Sequence, residues 1–428
     1  MITIPSEYLD NHWAEIISNS IHSITLSEWD DGDAYTLSSV GQFPSTKQVS
    51  AAIIIGNAEV PGVPIVIHLN KTSPTNKTDT YMAPDGSSYV STAQHIITPG
   101  NIRSIKVAIV DIVKALNLRR KGFLESDLLK DSIVTIIGLG TGGIQAALDL
   151  AKSGVGNFHL IDSDRLDIGN VSRHQAGISC VGRKKVFAAR DLIIEKNLKA
   201  NVTTYPILAC EENKEILVPI IEKSDLIVCA TDSRQSKLLI NSLCVTAKKP
   251  AIYGGAFRRA YGGNVLRVHE SACYHCFVLA MSEKETDQEV SSEENANEIA
   301  YSDMPVSIEP GLSIDVAPIA TMVSKLALQE LIVNKESTLH VLDKDFEANW
   351  YFWINRPEPK TEYASLVPLS ESYNEMTILR WYAVTLDKDP DCPTCGNFNK
   401  SLTDKYGLNL KEISVPIAPP NFPKKDIK

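Results

Sequence analysis

A glycine-rich turn is the first feature of the sequence that could do chemistry. Gly138, Gly140 and Gly143 fall on the spacing G-x-G-x-x-G, and Gly142 adds a further glycine. The turn follows the apolar, β-branched run Ile133–Ile137 and precedes a segment with helical spacing. Glycines let a phosphate approach the backbone, and free N–H groups at a helix start attract that anion. The pattern therefore predicts a nucleotide site at the end of a strand.

An acidic residue follows the next predicted strand. Asp162 suits the hydroxyls of a ribose. With the glycine turn and this carboxylate alone, a nicotinamide-dependent dehydrogenase and another nucleotide-handling enzyme fit equally well. A dehydrogenase has no use for Asp164, Asn170 and Arg173 so close behind. A guanidinium and an amide in sequence instead suit a polyphosphate, which they neutralise and orient.

Three further charged residues extend this pattern. Lys184 and Lys185 can add a positive point charge, and Asp232 follows a predicted strand at its C-terminal end. Ligands of open parallel sheets bind at that edge. A carboxylate facing a triphosphate there is a natural magnesium ligand. Each charge alone is typical of a solvated surface, but their order and spacing together predict a magnesium–triphosphate site.

Four of the eight cysteines form two C-x-x-C pairs. Thiolates from two such pairs make a closed tetrahedral zinc site with no open position for catalysis. Redox-active pairs or incidental cysteines are the alternative. The pairs, separated by 115 residues, are Cys273 with Cys276 and Cys392 with Cys395.

The composition limits the class of protein. The chain has 428 residues, 43% hydrophobic residues and a formal net charge of −10. A nucleic-acid coat is not expected, because phosphate binding needs clustered positive charge. No apolar run reaches the ~18 residues needed to span a bilayer. The first residues lack the basic start and apolar stretch of a signal peptide. We therefore expect a cytoplasmic protein that binds neither membrane nor nucleic acid.

The alternation of strands and helices predicts an α/β fold with a doubly wound, mainly parallel sheet. We expect this domain over 126–335, including an acidic crossover loop at 281–310. An accessory α+β module with a structural or docking role is expected over 1–125, C-terminal strands over 336–412 and a tail over 413–428. Single elements include a helix over 102–118, a helix over 319–332 that starts after Pro318, and strands within 340–355 and 376–386.

The order of the motifs in this chain resembles that of the ubiquitin-activating superfamily. The motifs are, in chain order, G-x-G-T-G-G, D-x-D, N-x-x-R-x-Q, K-V and T-D. That superfamily includes the bacterial ThiF, MoeB and HesA adenylyltransferases and the microcin-modifying MccB type. The resemblance covers roughly residues 118–395 and implies a Rossmann-like ThiF fold with a zinc-stapled C-terminal β region. Members bind ATP and magnesium and attach AMP to a C-terminal carboxylate. The acceptor is usually a ubiquitin-like β-grasp protein that ends in glycine.

The resemblance also implies roles for single residues. Asn170 and Arg173 would contact the ATP phosphates. Lys185 matches the family lysine of the K-V step, with Lys184 as the fallback. A carboxylate that attacks an α-phosphate needs no side-chain nucleophile, only alignment and positive charge on the departing pyrophosphate.

Other positions carry further implied roles. Asp162 would hold the ribose and Asp232 the magnesium. Arg119 or Arg120 occupies the place of an arginine that reaches the neighbouring subunit's ATP site in relatives, which implies a homodimer. The segment Gly254–Gly263 resembles the edge of the acceptor-peptide channel.

One departure from the family concerns its thiol. Many relatives carry a catalytic cysteine after the first zinc pair, but residues 277–391 contain no cysteine. Cys180 and Cys210 fall in predicted loops and are weak candidates; Cys229 and Cys244 read as core. We therefore expect adenylation followed by direct transfer to an external thiol or amine, for example on a conjugating-enzyme-like partner.

Three pathways fit an activating enzyme of this kind. The extra N-terminal module favours a bacterial ubiquitin-like conjugation pathway of antiviral defence operons over sulfur transfer for cofactor synthesis and over microcin-type peptide modification. A catalytically silent scaffold is the rival from another class. Arg173, Lys185 and Asp232 argue against a scaffold, since all three implied active-site charges are present.

Overall fold

The computed structural model describes residues 1–29, 34–37, 47–58, 60–73, 80–98, 101–118, 120–122, 124, 128–281, 311–368 and 375–397. The predicted acidic loop and tail therefore lie, apart from Met281, outside the described residues. The chain divides into two compact units, Met1–Lys121 and Gly122–Lys428.

The N-terminal unit is a mixed sheet with one long helix. The elements are β1 (Ile2–Pro5), α1 (Ser6–Ser18), β2 (His22–Trp29), β3 (Ala34–Leu37), β4 (Lys47–Ile55), β5 (Ile65–Thr72), β6 (Thr80–Met82), β7 (Ser88–Thr98), β8 (Asn101–Ile105), β9 (Val107–Val110) and α2 (Ile112–Asn117). The strands run in the order β6-β7-β5-β4-β2-β3-β1-β9, and β8 pairs with β7. Helix α1 buries Leu9, Trp13 and Ile16 in the same apolar cluster as the strands.

The helix predicted over 102–118 is wrong for most of its length. The segment forms β8 and β9, and only α2 is helical. Apolar residues at 102, 105, 107 and 109 fit the alternation of a strand as well as a helical period. Pairing of β8 with the preceding strand β7 and of β9 with the distant strand β1 decides between them.

The C-terminal unit has the predicted α/β architecture. Its strands are β10 (Ile133–Ile137), β11 (Asn157–Ile161), β12 (Asn201–Tyr205), β13 (Leu226–Cys229), β14 (Ala251–Ala256), β15 (Gly262–Val268), β16 (Trp350–Ile354) and β17 (Arg380–Val384). The sheet order is β12-β11-β10-β13-β14-β15-β16-β17. The first five strands in this order are parallel, and the last three are antiparallel. The helices are α3 (Thr141–Ser153), α4 (Lys185–Lys196), α5 (Lys214–Lys223), α6 (Arg234–Ala247), α7 (Tyr274–Ala280) and α8 (Ser313–Ile332).

Helices cover both faces of this sheet. Val134 and Ile136 of β10 pack with α3, α4 and α8, whereas Ile137 packs with α5, α6 and α7. Successive residues of β10 thus enter opposite cores, as a strand buried on both faces requires. None of the helices within the described residues combines the length and apolar character needed to cross a membrane.

Two element predictions for this unit need correction. The segment Thr338–Phe346 is a 3₁₀ helix rather than a strand, and the Ser337 hydroxyl caps it by accepting from the Leu339 N–H at 3.2 Å. Helix α8 begins at Ser313, so Pro318 lies in its second turn instead of ahead of it. The added turn is closed by the Leu312 carbonyl, which accepts from the Asp315 N–H at 3.1 Å.

Candidate active site

A cavity of about 560 Å³ opens at the carboxyl ends of β10, β11 and β13. This is the edge where open parallel sheets bind ligands. The structure brings most of the predicted site residues together in its wall. These residues are Gly138, Gly140, Gly142, Asp162, Asp164, Asn170, Arg173, Lys185 and Asp232.

The glycines of the turn do two different jobs. Gly138 has φ +87°, and a Cβ there would lie 2.8 Å from the backbone of Ala230. A Cβ on Gly143 would overlap the carbonyl oxygen of Gly138. Gly140, the residue before α3, has open space around its missing Cβ and lines the cavity. Gly138 and Gly143 are therefore required by the fold, and Gly140 keeps the cavity open.

Asp162 is fixed beneath the turn by two backbone donors. Its Oδ2 accepts from the Leu139 N–H at 2.6 Å, and its Oδ1 accepts from the Asp164 N–H at 2.8 Å. Burial raises the pKa of Asp162, and the positive charge of Lys185 opposes that shift. The carboxylate holds the glycine turn and β11 in register while remaining at the cavity wall.

Lys185 supplies a buried positive charge to the cavity. Its Nζ lies 2.8 Å from Asp164 Oδ2. Burial alone would lower the pKa of Lys185, but the carboxylates of Asp162, Asp164 and Asp232 raise it above its ordinary value, so the ammonium stays charged. Lys184 instead donates from Nζ to the Ser163 carbonyl at 2.6 Å. Of the two lysines, Lys185 is the one that lines the cavity.

The loop after β11 carries Asn170 and Arg173. Asn170 Oδ1 accepts from the Asp167 N–H at 3.3 Å, which orients the amide, and Arg173 is half-buried in the cavity wall. Sequence reasoning missed the next residue, His174, which ties this loop to the glycine turn. Its Nε2 donates to the Leu139 carbonyl at 2.9 Å, and its Nδ1 accepts from the Ala176 N–H at 3.0 Å. Burial lowers the pKa of His174, so the ring is neutral.

The opposite wall is the start of α6. Asp232 is exposed just after β13, and the Ser233 hydroxyl caps α6 by accepting from the Ser236 N–H at 3.3 Å. Lys237, one turn into the helix, also lines the cavity although only 2% of it is exposed. No local motif marks Lys237, and sequence reasoning missed it.

The far rim of the cavity has an unusual backbone. Arg259 and Ala260 have φ of +57° and +50°, which non-glycine residues rarely adopt. Asn355 Nδ2 donates to the Ala260 carbonyl at 2.7 Å, and Arg356 Nη2 donates to the Arg259 carbonyl at 2.6 Å. Strained positions held in this way cluster at functional sites. They lie within the segment Gly254–Gly263, which was predicted to edge the acceptor channel.

The two candidate trans-acting arginines are the remaining predicted residues of this site. Arg119 lies outside the described residues. Arg120 belongs to the N-terminal unit and is not among the residues that line the cavity. Burial lowers the pKa of Arg120.

A second candidate centre is the cysteine cluster. The Sγ atoms of the two pairs all lie within 4.8 Å of one another, and all four cysteines are free of disulfides. The Asn241 amide donates to Cys273 Sγ at 3.4 Å, and the Asp389 N–H donates to Cys276 Sγ at 3.4 Å. Such donors suit thiolates that bind a metal. His275 Nδ1 instead bonds the Thr394 hydroxyl at 2.9 Å.

Three of the four remaining cysteines lie in environments that oppose thiolate formation. The hydrogen bond between Cys210 and Glu212 raises the pKa of Cys210, which opposes thiolate formation. Burial raises the pKa of Cys229 and of Cys244. Cys180 is half-buried, and Arg183 Nη1 lies 3.8 Å from its Sγ.

Comparisons with known proteins show a family match and more distant relatives. The model of the ThiF family matches residues 114–349, more than half of the chain. The "Adenylyltransferase and sulfurtransferase MOCS3" of Culex quinquefasciatus is 33% identical over 149 residues, which are 35% of this chain and 33% of that protein. The "Molybdopterin-synthase adenylyltransferase" of Escherichia coli is 34% identical over 161 residues, which are 37% of this chain and 64% of that protein. The chain thus spans only part of the length of these relatives.

Solved structures give a weaker similarity. A crystal structure of E. coli MccB with AMPCPP and selenomethionine MccA has 19% identity and a TM-score of 0.45, with 64% of this chain and 68% of that chain covered. Values this low support no inference about ligands.

Proposed function

The chain belongs to the ThiF family, and from that premise we propose that it adenylates the C-terminal carboxylate of a ubiquitin-like protein with ATP. The observation that carries the proposal is the cavity, which collects the glycine turn, Asp162, Arg173, Lys185 and Asp232 at one sheet edge. A cavity of about 560 Å³ has room for a nucleotide.

The reaction needs little covalent chemistry from the protein. A carboxylate oxygen of the acceptor attacks the α-phosphorus of ATP, the bond from that phosphorus to the bridging oxygen breaks, and pyrophosphate leaves. Arg173 and Lys185 neutralise the charge that builds on the departing oxygens. Asp232 would hold magnesium, which supplies further charge neutralisation, and Asp162 would bind the ribose. Because Lys185 is held by Asp164, its ammonium is positioned before ATP arrives.

The acceptor tail enters from the strained rim in this proposal. The cavity is continuous from the glycine turn to Arg258, Arg259 and Gly311. Guanidinium groups at that mouth attract an anionic C-terminus. A tail ending in glycines fits, because it can pass the wall as extended backbone. The acyl group then passes to an external thiol or amine, since Cys210, Cys229 and Cys244 sit in environments that oppose a thiolate.

We assign structural zinc to the cysteine cluster. Four sulfurs within 4.8 Å of one another match a closed tetrahedral site, and N–H donors to two of them stabilise thiolates. We also propose a cytoplasmic location, because eight cysteines without a disulfide are typical of a reducing compartment.

The biological setting we favour is a ubiquitin-like conjugation pathway of the defence type. Its support is that residues 1–113 lie outside the family match and make up most of a separate compact unit, Met1–Lys121, which suits docking of a conjugating-enzyme-like partner. Adenylation of a sulfur-carrier protein is the second candidate. The names of the relatives at 33% and 34% identity favour it.

Acceptor-dependent exchange between ATP and pyrophosphate tests the proposal. Ubiquitin-like proteins ending in Gly-Gly and sulfur-carrier proteins are supplied in turn, each with a control from which the last two glycines are deleted. Exchange that requires the intact tail supports the proposal. ATP consumption without a tail-dependent exchange with either class contradicts it.

We further propose a homodimer in which Arg119 or Arg120 enters the partner's ATP site. Mixing Arg119→Ala/Arg120→Ala chains with Asp232→Asn chains should restore up to about a quarter of wild-type activity. Random pairing makes half the dimers mixed, and one of two sites in each is then intact. Full activity of a strictly monomeric species would exclude this arrangement.

A further inference from the structure

Helix α6 touches both candidate centres. Its first turns line the cavity through Ser233, Ser236 and Lys237. One turn beyond Lys237, Asn241 is fully buried. Its Nδ2 donates to Cys273 Sγ at 3.4 Å, and its Oδ1 accepts from the Tyr274 N–H at 2.9 Å. Residues four apart lie on the same helix face, so Lys237 and Asn241 point to the same side.

Tyr274 provides a second connection between the two centres. This residue follows Cys273 directly and is 1% exposed. Its ring stacks on Tyr253 with centroids 4.9 Å apart, and the Lys237 ammonium lies 5.7 Å from its centroid. A cation over an aromatic face is attracted to it. The ring therefore fixes the cavity lysine from the side of the cysteine cluster.

The strength of these contacts depends on the state of the sulfurs. A thiol is a weak hydrogen-bond acceptor, whereas a metal-bound sulfur is a thiolate and accepts well. Asn241 is thus held more firmly when Cys273 binds a metal. A helix moves as a unit, and a buried packed contact at one turn constrains the next.

We propose that metal loading of the cysteine cluster sets the affinity of the cavity for magnesium–ATP through α6, with Asn241 as the positioning residue. The inference rests on the proposed nucleotide site. Its mechanism is that the Asn241 contacts fix the rotation of α6, and this places Asp232, just before the helix, and Lys237. A structural metal that merely held the C-terminal segment would stabilise the fold without this coupling.

The test measures the affinity for magnesium–ATP by calorimetry, first with zinc bound and then after chelation of the zinc. Far-UV circular dichroism confirms that the protein is folded in both states. We expect zinc to tighten binding by about tenfold, a usual size for coupling between two sites. Zinc-loaded Asn241→Leu should bind magnesium–ATP with the affinity of chelated wild type. Chelation should change the affinity of this variant by less than about twofold. The exposed neighbour Ser242 supplies the matched control, and Ser242→Ala should behave like wild type.

Amide exchange of residues 234–238 in the wild-type chain decides the case if Asn241→Leu does not fold. Chelation should speed exchange there. An equal effect of chelation on wild type and Asn241→Leu, or exchange at 234–238 that ignores the metal, overturns the coupling. If wild type binds no ATP, the proposed function fails, and the exchange result still decides whether the metal constrains α6.

Discussion

The nucleotide cavity and the cysteine cluster lie at opposite ends of the first two turns of α6, yet they are built differently. Asp232 of the cavity is exposed, and Arg173 is half-buried in the cavity wall. Three of the four clustered cysteines are buried, and donors such as Asn241 reach the sulfurs from outside. The cavity is accessible to a ligand, whereas the cluster is enclosed and suits a structural metal. Substitutions in the cavity should therefore lower activity, whereas substitutions in the cluster should lower stability.

The largest effect is expected at Asp232. Asp232→Asn removes one charge from an exposed position and should lower acceptor-dependent pyrophosphate exchange by at least about 100-fold, because a metal clamp is worth several kcal/mol in the transition state. Its free energy of unfolding should change by less than about 0.5 kcal/mol, as for other surface substitutions. Exchange within a few-fold of wild type would remove Asp232 from the proposed role.

Cys273→Ser should show the reverse pattern. We expect wild type to carry one zinc ion per chain by elemental analysis and the variant to lose it. Loss of a structural metal is expected to cost about 4 kcal/mol of unfolding free energy. Cys180→Ser, a half-buried cysteine outside the cluster, is the control and should retain zinc. Stoichiometric disulfides between the clustered cysteines in place of metal would refute the site.

Two glycines sharpen the comparison inside the cavity. Gly143→Ala places a methyl group against the Gly138 carbonyl and should destabilise the C-terminal unit by about 2 kcal/mol. Gly140→Ala has room within the fold but extends into the cavity, so it should raise the KM for ATP without lowering the thermal midpoint. Equal midpoints for both variants would show that the turn is not packed as described.

The smallest effect concerns pH and His174. Burial lowers the pKa of His174 from its ordinary 6.5, so the folded state resists protonation that the unfolded state accepts. Its contribution to stability is complete above pH 6.5 and is lost as pH falls through the folded value. The stability difference between wild type and His174→Gln should therefore shrink between pH 7.5 and 5.5 in urea unfolding. A difference independent of pH would contradict a buried neutral ring.

Much of the C-terminal unit follows from local sequence pattern. The strand Ile133–Ile137 matches the apolar run that predicted it, because a short apolar run that ends in a glycine turn has few other solutions. The helix predicted over 102–118 failed because its first part pairs with the adjacent strand β7 and with the distant strand β1. The predicted strand at 340–355 failed in its first half, where the Ser337 cap favours a 3₁₀ helix.

The candidate site also contains some residues that local sequence pattern predicts and others that it does not. The cysteine pairs and the residues around Asp162 have characteristic spacing and were found from the sequence. His174, Lys237 and Asn241 act through contacts with Leu139, Tyr274 and Cys273, which lie between 32 and 37 residues away in the sequence. No spacing rule records such contacts, so only the fold reveals them.

The path of one oxygen atom tests the central claim most directly. A ubiquitin-like acceptor with oxygen-18 in its C-terminal carboxylate is incubated with the protein, magnesium and ATP, and a thiol then takes the acyl group. If the carboxylate attacks the α-phosphorus, an acceptor oxygen leaves with AMP, and mass spectrometry should find AMP heavier by one oxygen-18 atom. ADP formation with the label in orthophosphate, or AMP without label, would contradict adenylation.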